Sequence, residues 1–142
     1  MTVAAILDKG SGEVITVRCD TPVREAVALL SSRKIGAVPV VDGDTVVGIM
    51  SERDVMYCLA RDGAAVLDSL VEKIMTAPAI TVSPDERVLS ALSLMTNRRI
   101  RHLPVVKDGR LIGIVSIGDL VKQRLDQIES EAEAMLAYIQ TV

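Results

Sequence analysis

The sequence predicts an α/β chain of the α+β kind: two copies of a β-α-β-β-α unit related by approximate two-fold symmetry, followed by a helical tail. Three observations carry this. Sliding the 142-residue chain against itself by 65 positions lays 15–55 on 80–120 without a gap, and sixteen of those 41 pairs are identical. Such self-similarity marks a tandem duplication, and two copies, too few for a solenoid, form one compact unit. Each copy also holds two apolar runs around an Asp-Gly turn, Asp42-Gly43 and Asp108-Gly109, the signature of a hairpin. Ahead of each hairpin, apolar residues recur at helical spacing.

The elements follow in order. Segment 2–7 (TVAAIL) reads as a short lead-in helix matched by 71–76 (VEKIMT), with extra residues of the first copy falling in 9–12. A strand comes next, EVITV (13–17) or AITV (79–82). The helix after it is expected to start at Ser83, with Pro84 in its first turn and Glu86 closing a capping box; in copy one Asp20 or Thr21 caps and Pro22 lies just inside. Val23, Ala26, Val27 and Leu30 form its apolar face, answered by Val88, Ala91, Leu92 and Met95. The basic pairs Arg33-Lys34 and Arg98-Arg99 suit the negative end of the helix dipole. After the hairpin a second helix begins at Ser51 and at Ser116. Beyond Asp119 the chain has neither Gly nor Pro, and Leu120, Val121, Leu125, Ile128, Ala132, Met135, Leu136 and Ile139 keep a helical rhythm. That apolar surplus needs cover, either from its own domain or from a second chain. The units are repeat one at 1–60, a linker at 61–70, repeat two at 71–127 and the helical extension at 128–142.

Composition excludes several functions. The chain is 49% hydrophobic but 1% aromatic, with only Tyr57 and Tyr138, so the core is aliphatic and offers no rings for stacking nucleic-acid bases. A net charge of −3 gives no footprint for a phosphate backbone. No apolar run approaches the roughly 18 residues of a membrane span. The N-terminus shows no basic leader, and Asp8 interrupts its apolar stretch, so a secretory signal is not expected. Cys19 and Cys58 stand apart with no metal or redox spacing, which fits the reducing cytoplasm. No nucleophile elbow, metal cluster or second histidine accompanies them, so catalysis is not expected.

The repeated polar residues define a motif, G-x-x-S-x-x-D, at Gly48, Ser51 and Asp54 and again at Gly113, Ser116 and Asp119. Glycine late in a strand lets another group approach the backbone. Serine at a helix start can cap, and the free N–H groups there can meet a phosphate. Aspartate one turn on can accept both hydrogen bonds of a ribose diol.

A duplicated β-α-β-β-α unit with I-x-x-x-P-V-V ahead of G-h-h-S-x-x-D resembles the CBS domain pair, or Bateman module, and the likeness covers roughly residues 3–127. It is similar to small stand-alone bacterial CBS-pair proteins with a helical tail. CBS pairs also occur inserted in inosine-monophosphate dehydrogenase, whose catalytic barrel has no counterpart here. The resemblance implies a regulatory module that binds an adenosine nucleotide between its repeats, AMP first and ADP, ATP, NAD(H) or S-adenosylmethionine as alternatives. It would signal through conformation to a regulated protein whose identity the sequence does not give. In that family the Asp holds ribose, the Ser lies near phosphate, and apolar residues of the first strands hold adenine. The implied site residues are Asp119, Ser116, Asp54 and Ser51, with Ile15, Thr16, Ile80 and Thr81 on the first strands; the sequence does not say which strand serves which cleft. Ahead of Pro39 and Pro104 the copies differ: Gly36-Ala37 faces Arg101-His102, and family cations there commonly meet phosphate. Arg101 and His102 are therefore expected beside Asp119, with Arg53 as the cation of the Asp54 cleft. A homodimer meeting through its helices completes the expectation; a purely structural dimerisation or docking module is the competing one.

Overall fold

The computed structural model describes residues 1–7 and 14–141. Helix α1 (Val3–Leu7) precedes strand β1 (Val17–Arg18), helix α2 (Val23–Arg33), the hairpin β2 (Ala37–Asp42) and β3 (Thr45–Ser51), and helix α3 (Glu52–Asp62). Two 3₁₀ segments, Gly63–Asp68 and Val71–Lys73, lead to helix α4 (Val88–Arg98), the hairpin β4 (His102–Lys107) and β5 (Arg110–Ser116), and helix α5 (Ile117–Gln140). The tandem unit expected from the self-match is therefore present. The extra residues expected at 9–12 lie outside the described residues.

The first strands are shorter than expected. In repeat one β1 runs parallel to β2 for two residues, Val17 opposite Val40 and Arg18 opposite Val41. In repeat two only a bridge between Val82 and Val105 remains. Proline explains the stop. Val82 N–H donates to the Pro104 carbonyl at 3.0 Å and Val106 N–H donates to Val82 at 2.9 Å. The next rung would need an N–H on Pro104, which has none, and Pro39 holds the same place in β2. Upstream of that stop the chain leaves the ladder, freeing Ile15 and Ile80 to face elsewhere.

The hairpins repeat each other, including an irregularity in the pairing after Val40 and after Val105. The second turn is Asp108-Gly109, with φ of 52° and 78° at the two positions. The first turn is Gly43-Asp44, one residue later than expected, because Asp42 still pairs with Thr45.

Neither α2 nor α4 begins with the expected side-chain cap. Their N-caps are Pro22 and Arg87, and neither accepts a capping bond. Thr21 Oγ1 instead accepts from Arg18 N–H, and Ser83 Oγ from Asp85 N–H, both at 3.0 Å. The first helical N–H groups are satisfied by residues just ahead of the lead-in segments, Val23 donating to Ser69 and Val88 to Met1. Both helices close in the same way, with Lys34 and Arg99 in the left-handed region donating back to the last turn.

The lead-in segments cross over. Val3, on α1, is fully buried in the core of repeat two among Val88, Ala91, Met95, Leu103 and Leu120. Val71 is fully buried in the core of repeat one among Val23, Ala26, Val38, Val40 and Met50. Matching hydrogen bonds hold each: Val3 to Glu86 and Ala4 to Pro84 on one side, Val71 to Thr21 and Glu72 to Cys19 on the other. The motif glycines make room for this packing. A Cβ on Gly48 would lie 2.9 Å from the Thr76 carbonyl, and one on Gly113 would lie 2.5 Å from Leu7 Cδ2. What approaches these glycines is the protein itself. Segment 61–70, expected as a linker, is packed as well, with Val66 buried in the core of repeat one.

Candidate functional site

Both motif serines cap their helices. Ser51 Oγ accepts from Asp54 N–H at 3.2 Å while Asp54 Oδ2 accepts from Ser51 N–H at 2.9 Å. Ser116 Oγ accepts from Asp119 N–H at 3.1 Å and Asp119 Oδ2 accepts from Ser116 N–H at 3.0 Å. The capping box orients each carboxylate by one oxygen and leaves the other to be accounted for. In Asp54 that oxygen, Oδ1, accepts from Thr76 Oγ1 at 3.1 Å. In Asp119 it meets no donor among the described residues.

Each Ser-Asp pair opens onto a cleft between the repeats. The Asp119 cleft encloses about 720 Å³, within the ~300–1,000 Å³ usual for small-molecule sites. Its apolar wall includes Ile15, Ile112 and Ile114, and its charged lining among the described residues is Lys34, Asp119, Lys122 and Asp126. The Asp54 cleft holds about 200 Å³ and is lined by Ser51, Glu52, Arg53, Thr76 and Ile80, with Arg99 and Arg101 opposite. Arg53 Nη1 donates to the Arg99 carbonyl at 3.4 Å, tying α3 to the end of α4.

The lining is crossed in the same sense as the lead-ins. Each cleft takes its Ser-Asp pair from one repeat, and takes its first-strand isoleucine and left-handed helix-end cation from the other. Ile15 and Lys34 serve Asp119; Ile80 and Arg99 serve Asp54. The same crossing corrects the expected grouping of Arg101 with Asp119, because Arg101 lines the Asp54 cleft. His102 lines both clefts. Thr16 and Thr81 line neither, and Pro39 and Pro104 are buried in strands where they end the ladders. Lys34 and Lys122 were missed at the sequence level. Lys34 could have been found as the repeat-one counterpart of Arg99, and Lys122 as the residue three positions after Asp119 on the same helix face.

His102 sits where the repeats meet. A Cβ on Gly36 would lie 3.3 Å from His102 Cε1 and 3.4 Å from Glu52 Oε1, so glycine at 36 leaves room for the ring and the carboxylate. Burial pushes the imidazole pKa below its usual 6.5; Glu52 and Asp119 push it up and Arg101 pushes it down, and the net direction is down.

The sequence profile of the CBS domain matches this chain twice, over residues 3–61 and 71–126. The chain belongs to the CBS-domain family. Among relatives, it is 39% identical over 126 residues to the mitochondrial CBS domain-containing protein CBSX3 of Arabidopsis thaliana, covering 85% of this chain and 61% of that protein. This CBS chain therefore spans less than two thirds of that relative's length. The crystal structure of the CBS-domain containing protein ATU1752 from Agrobacterium tumefaciens superposes with a TM-score of 0.83 at 40% identity, over 87% of this chain and 99% of that one. CBSX2, whose crystal structure is a complex with AMP, gives a TM-score of 0.74 at 30% identity over 90% of this chain and 98% of its own. No helix among the described residues is long and apolar enough to cross a membrane.

Proposed function

We propose that this CBS pair is a regulatory module that binds an adenosine nucleotide, AMP in the first instance, and performs no catalysis. The Asp119 cleft is its principal site. One observation carries the reading: a carboxylate anchored through Oδ2 presents an Oδ1 that no described residue engages to a cleft of about 720 Å³ built by both repeats. A ribose diol supplies the two donors such a carboxylate accepts, and Ile15, Ile112 and Ile114 give a base an apolar slot. Among the described residues, Lys34, Lys122 and His102 are the cations lining that cleft and offered to a phosphate. The AMP complex of CBSX2 supports the choice of ligand class. A ligand touching both repeats signals by favouring one relative orientation of them, which a partner protein reads.

The module works as a homodimer in the cytoplasm. Met56 and Tyr57 on α3 and Leu89 on α4 are exposed apolar side chains on helices, the faces expected to meet. Light scattering at micromolar concentration giving the mass of two chains is the check.

The competing reading, a docking module whose clefts stay empty, draws on the Asp54 cleft, where Thr76 already occupies the carboxylate. Thermal shift with AMP, ADP, ATP, NAD, S-adenosylmethionine and adenosine separates the two. Ligand binding to the folded state adds about 2.7 kcal/mol of stability at a hundredfold excess over Kd, and so raises the melting temperature. No shift with any of the six at millimolar concentration leaves the docking module as the function.

A further inference from the structure

Helix α5 joins the Asp119 cleft to a surface that no described residue covers. Its first turn carries Asp119, and Leu120 and Gln123 are buried against its own domain. From Ile128 to Thr141 every residue is exposed. Along the exposed side run Val121, Leu125, Ile128, Ala132, Met135 and Ile139, separated by steps of four, three, four, three and four. Leu125, Ile128, Met135 and Ile139 are 59%, 46%, 62% and 61% exposed. A strict spacing of this kind averages 3.5 residues per turn, which keeps a seam in contact only when two helices wind around each other. A helix lying on its own domain shows a broader stripe of period 3.6.

We propose that the α5 tails of two copies of this chain pair as a parallel, in-register coiled coil. Charge and the length of the seam together decide the orientation. With Leu125, Ala132 and Ile139 at a and Val121, Ile128 and Met135 at d, Arg124 falls at g and Glu129 at the following e. In a parallel pair those two positions face each other across the seam, so Arg124 of each chain meets Glu129 of the other. Antiparallel pairing with Ala132 opposite Ile128 sets Glu129 against Glu129 and Glu131 against Glu131. Sliding that pair by one heptad, to put Ala132 opposite Met135, removes the repulsion but leaves no oppositely charged pair. Sliding it the other way, to put Ala132 opposite Val121, pairs Arg124 with Glu131 and Lys122 with Glu129. That register sets Met135 against Gly118 and carries Ile139 past the start of the partner helix, so the seam is cut short. Ala132 in the middle of the seam lets the backbones approach. This inference rests on the helix alone and stands whether or not the clefts bind nucleotide.

Disulfide trapping tests it on the full-length chain, with Cys19→Ser and Cys58→Ala as background and circular dichroism checking that the fold is kept. Ala132→Cys places a thiol at the seam; Ser130→Cys, on the outer face, is the control. Parallel pairing predicts that diamide links Ala132→Cys into a dimer about tenfold faster or more than Ser130→Cys, because pairing holds like positions at high effective concentration. Adding Ile128→Asp to Ala132→Cys abolishes that advantage while leaving domain melting unchanged. Equal linking at 132 and 130, or linking at 132 that survives Ile128→Asp, overturns the coiled coil. Preferential linking in a mixture of Ala132→Cys with Ile128→Cys, Met135→Cys or Val121→Cys, and little in Ala132→Cys alone, overturns its orientation.

Discussion

Thr76 Oγ1 donates to Asp54 Oδ1 at 3.1 Å, so the carboxylate of the first repeat has both oxygens engaged, whereas Asp119 has one engaged by its own cap. The duplicated motif has thus produced two unequal carboxylates. Thr76 comes from the crossed lead-in segment, which also forms a two-way backbone bridge with Ile49, at 3.0 and 2.9 Å. A ribose entering the Asp54 cleft would have to displace that threonine within about 200 Å³.

The first prediction is therefore one adenosine ligand per chain, in the Asp119 cleft. Asp119→Ala removes charge-assisted hydrogen bonds of roughly 1.5–3 kcal/mol, weakening AMP by about tenfold to a hundredfold or more. Asp54→Ala leaves AMP affinity close to wild type. It lowers stability instead, by about 1 kcal/mol, through loss of a capping box. Isothermal calorimetry paired with thermal unfolding reads both. Two equal sites, or equal losses from the two substitutions, would overturn the assignment.

The phosphate should follow the same crossing. Lys34→Ala and Lys122→Ala are expected to weaken AMP several-fold and to leave adenosine nearly untouched, whereas Arg101→Ala, in the other cleft, changes neither. Competition of AMP and adenosine against a fluorescent adenosine analogue checks this. A dominant loss from Arg101→Ala would restore the grouping that sequence order suggested.

Much of the architecture was legible in the sequence because it is written in local periodicity. The faces of α2 and α4 and the helix starts at Ser51 and Ser116 depend on residues three or four apart, and they appear as read, although the capping box expected at Ser83 is absent and boxes close at Ser51 and Ser116 instead. What escaped depends on contacts across the repeats. Nothing near Arg101 in the chain says that it faces Asp54, since that follows from the pseudo-symmetric crossing of the two units. The same holds for Val3 in the core of repeat two. The short first strands were legible in principle: Pro39 and Pro104 each remove the N–H that one more rung requires.

The crossed lead-ins make a prediction of their own. Val71→Ala should loosen repeat one and Val3→Ala repeat two, each costing about 2 kcal/mol for methyl groups removed from a fully buried site. Amide hydrogen exchange locates the effect. Val3→Ala should speed exchange at Val105 and Val115 more than at Val38 and Val40, and Val71→Ala should do the reverse. If instead Val3→Ala loosens the repeat that follows it directly in sequence, the crossing is wrong.

The motif glycines should differ in cost. A Cβ on Gly48 meets the backbone carbonyl of Thr76 at 2.9 Å, which can move only with the chain, while a Cβ on Gly113 meets the end of the Leu7 side chain at 2.5 Å. Gly48→Ala is therefore expected to destabilise by about 1–3 kcal/mol, the usual cost of overpacking, and Gly113→Ala by less because a leucine can change rotamer. Chemical denaturation of the two variants ranks them, and Gly113→Ala proving the costlier would contradict the packing argument.

The last prediction concerns His102, whose burial between the repeats holds its pKa below the usual 6.5. The sign follows from linkage. In the unfolded chain the imidazole titrates near 6.5, and in the folded chain it titrates lower, so between those values the unfolded state binds more protons. Stability is then level above about pH 6.5 and declines as the pH falls below it, until the folded-state pKa is passed. An AMP phosphate near the ring has the opposite preference, since it favours the imidazolium. AMP affinity should therefore rise over the same acid window in which the free protein loses stability, while adenosine affinity stays flat. His102→Gln should flatten His102's contribution to both profiles. Melting temperatures and calorimetric affinities at pH 7.5, 6.5 and 5.5 for wild type and His102→Gln test the two slopes independently. A wild-type AMP affinity that falls with acidification, or is unchanged by His102→Gln, would remove the histidine from the phosphate site.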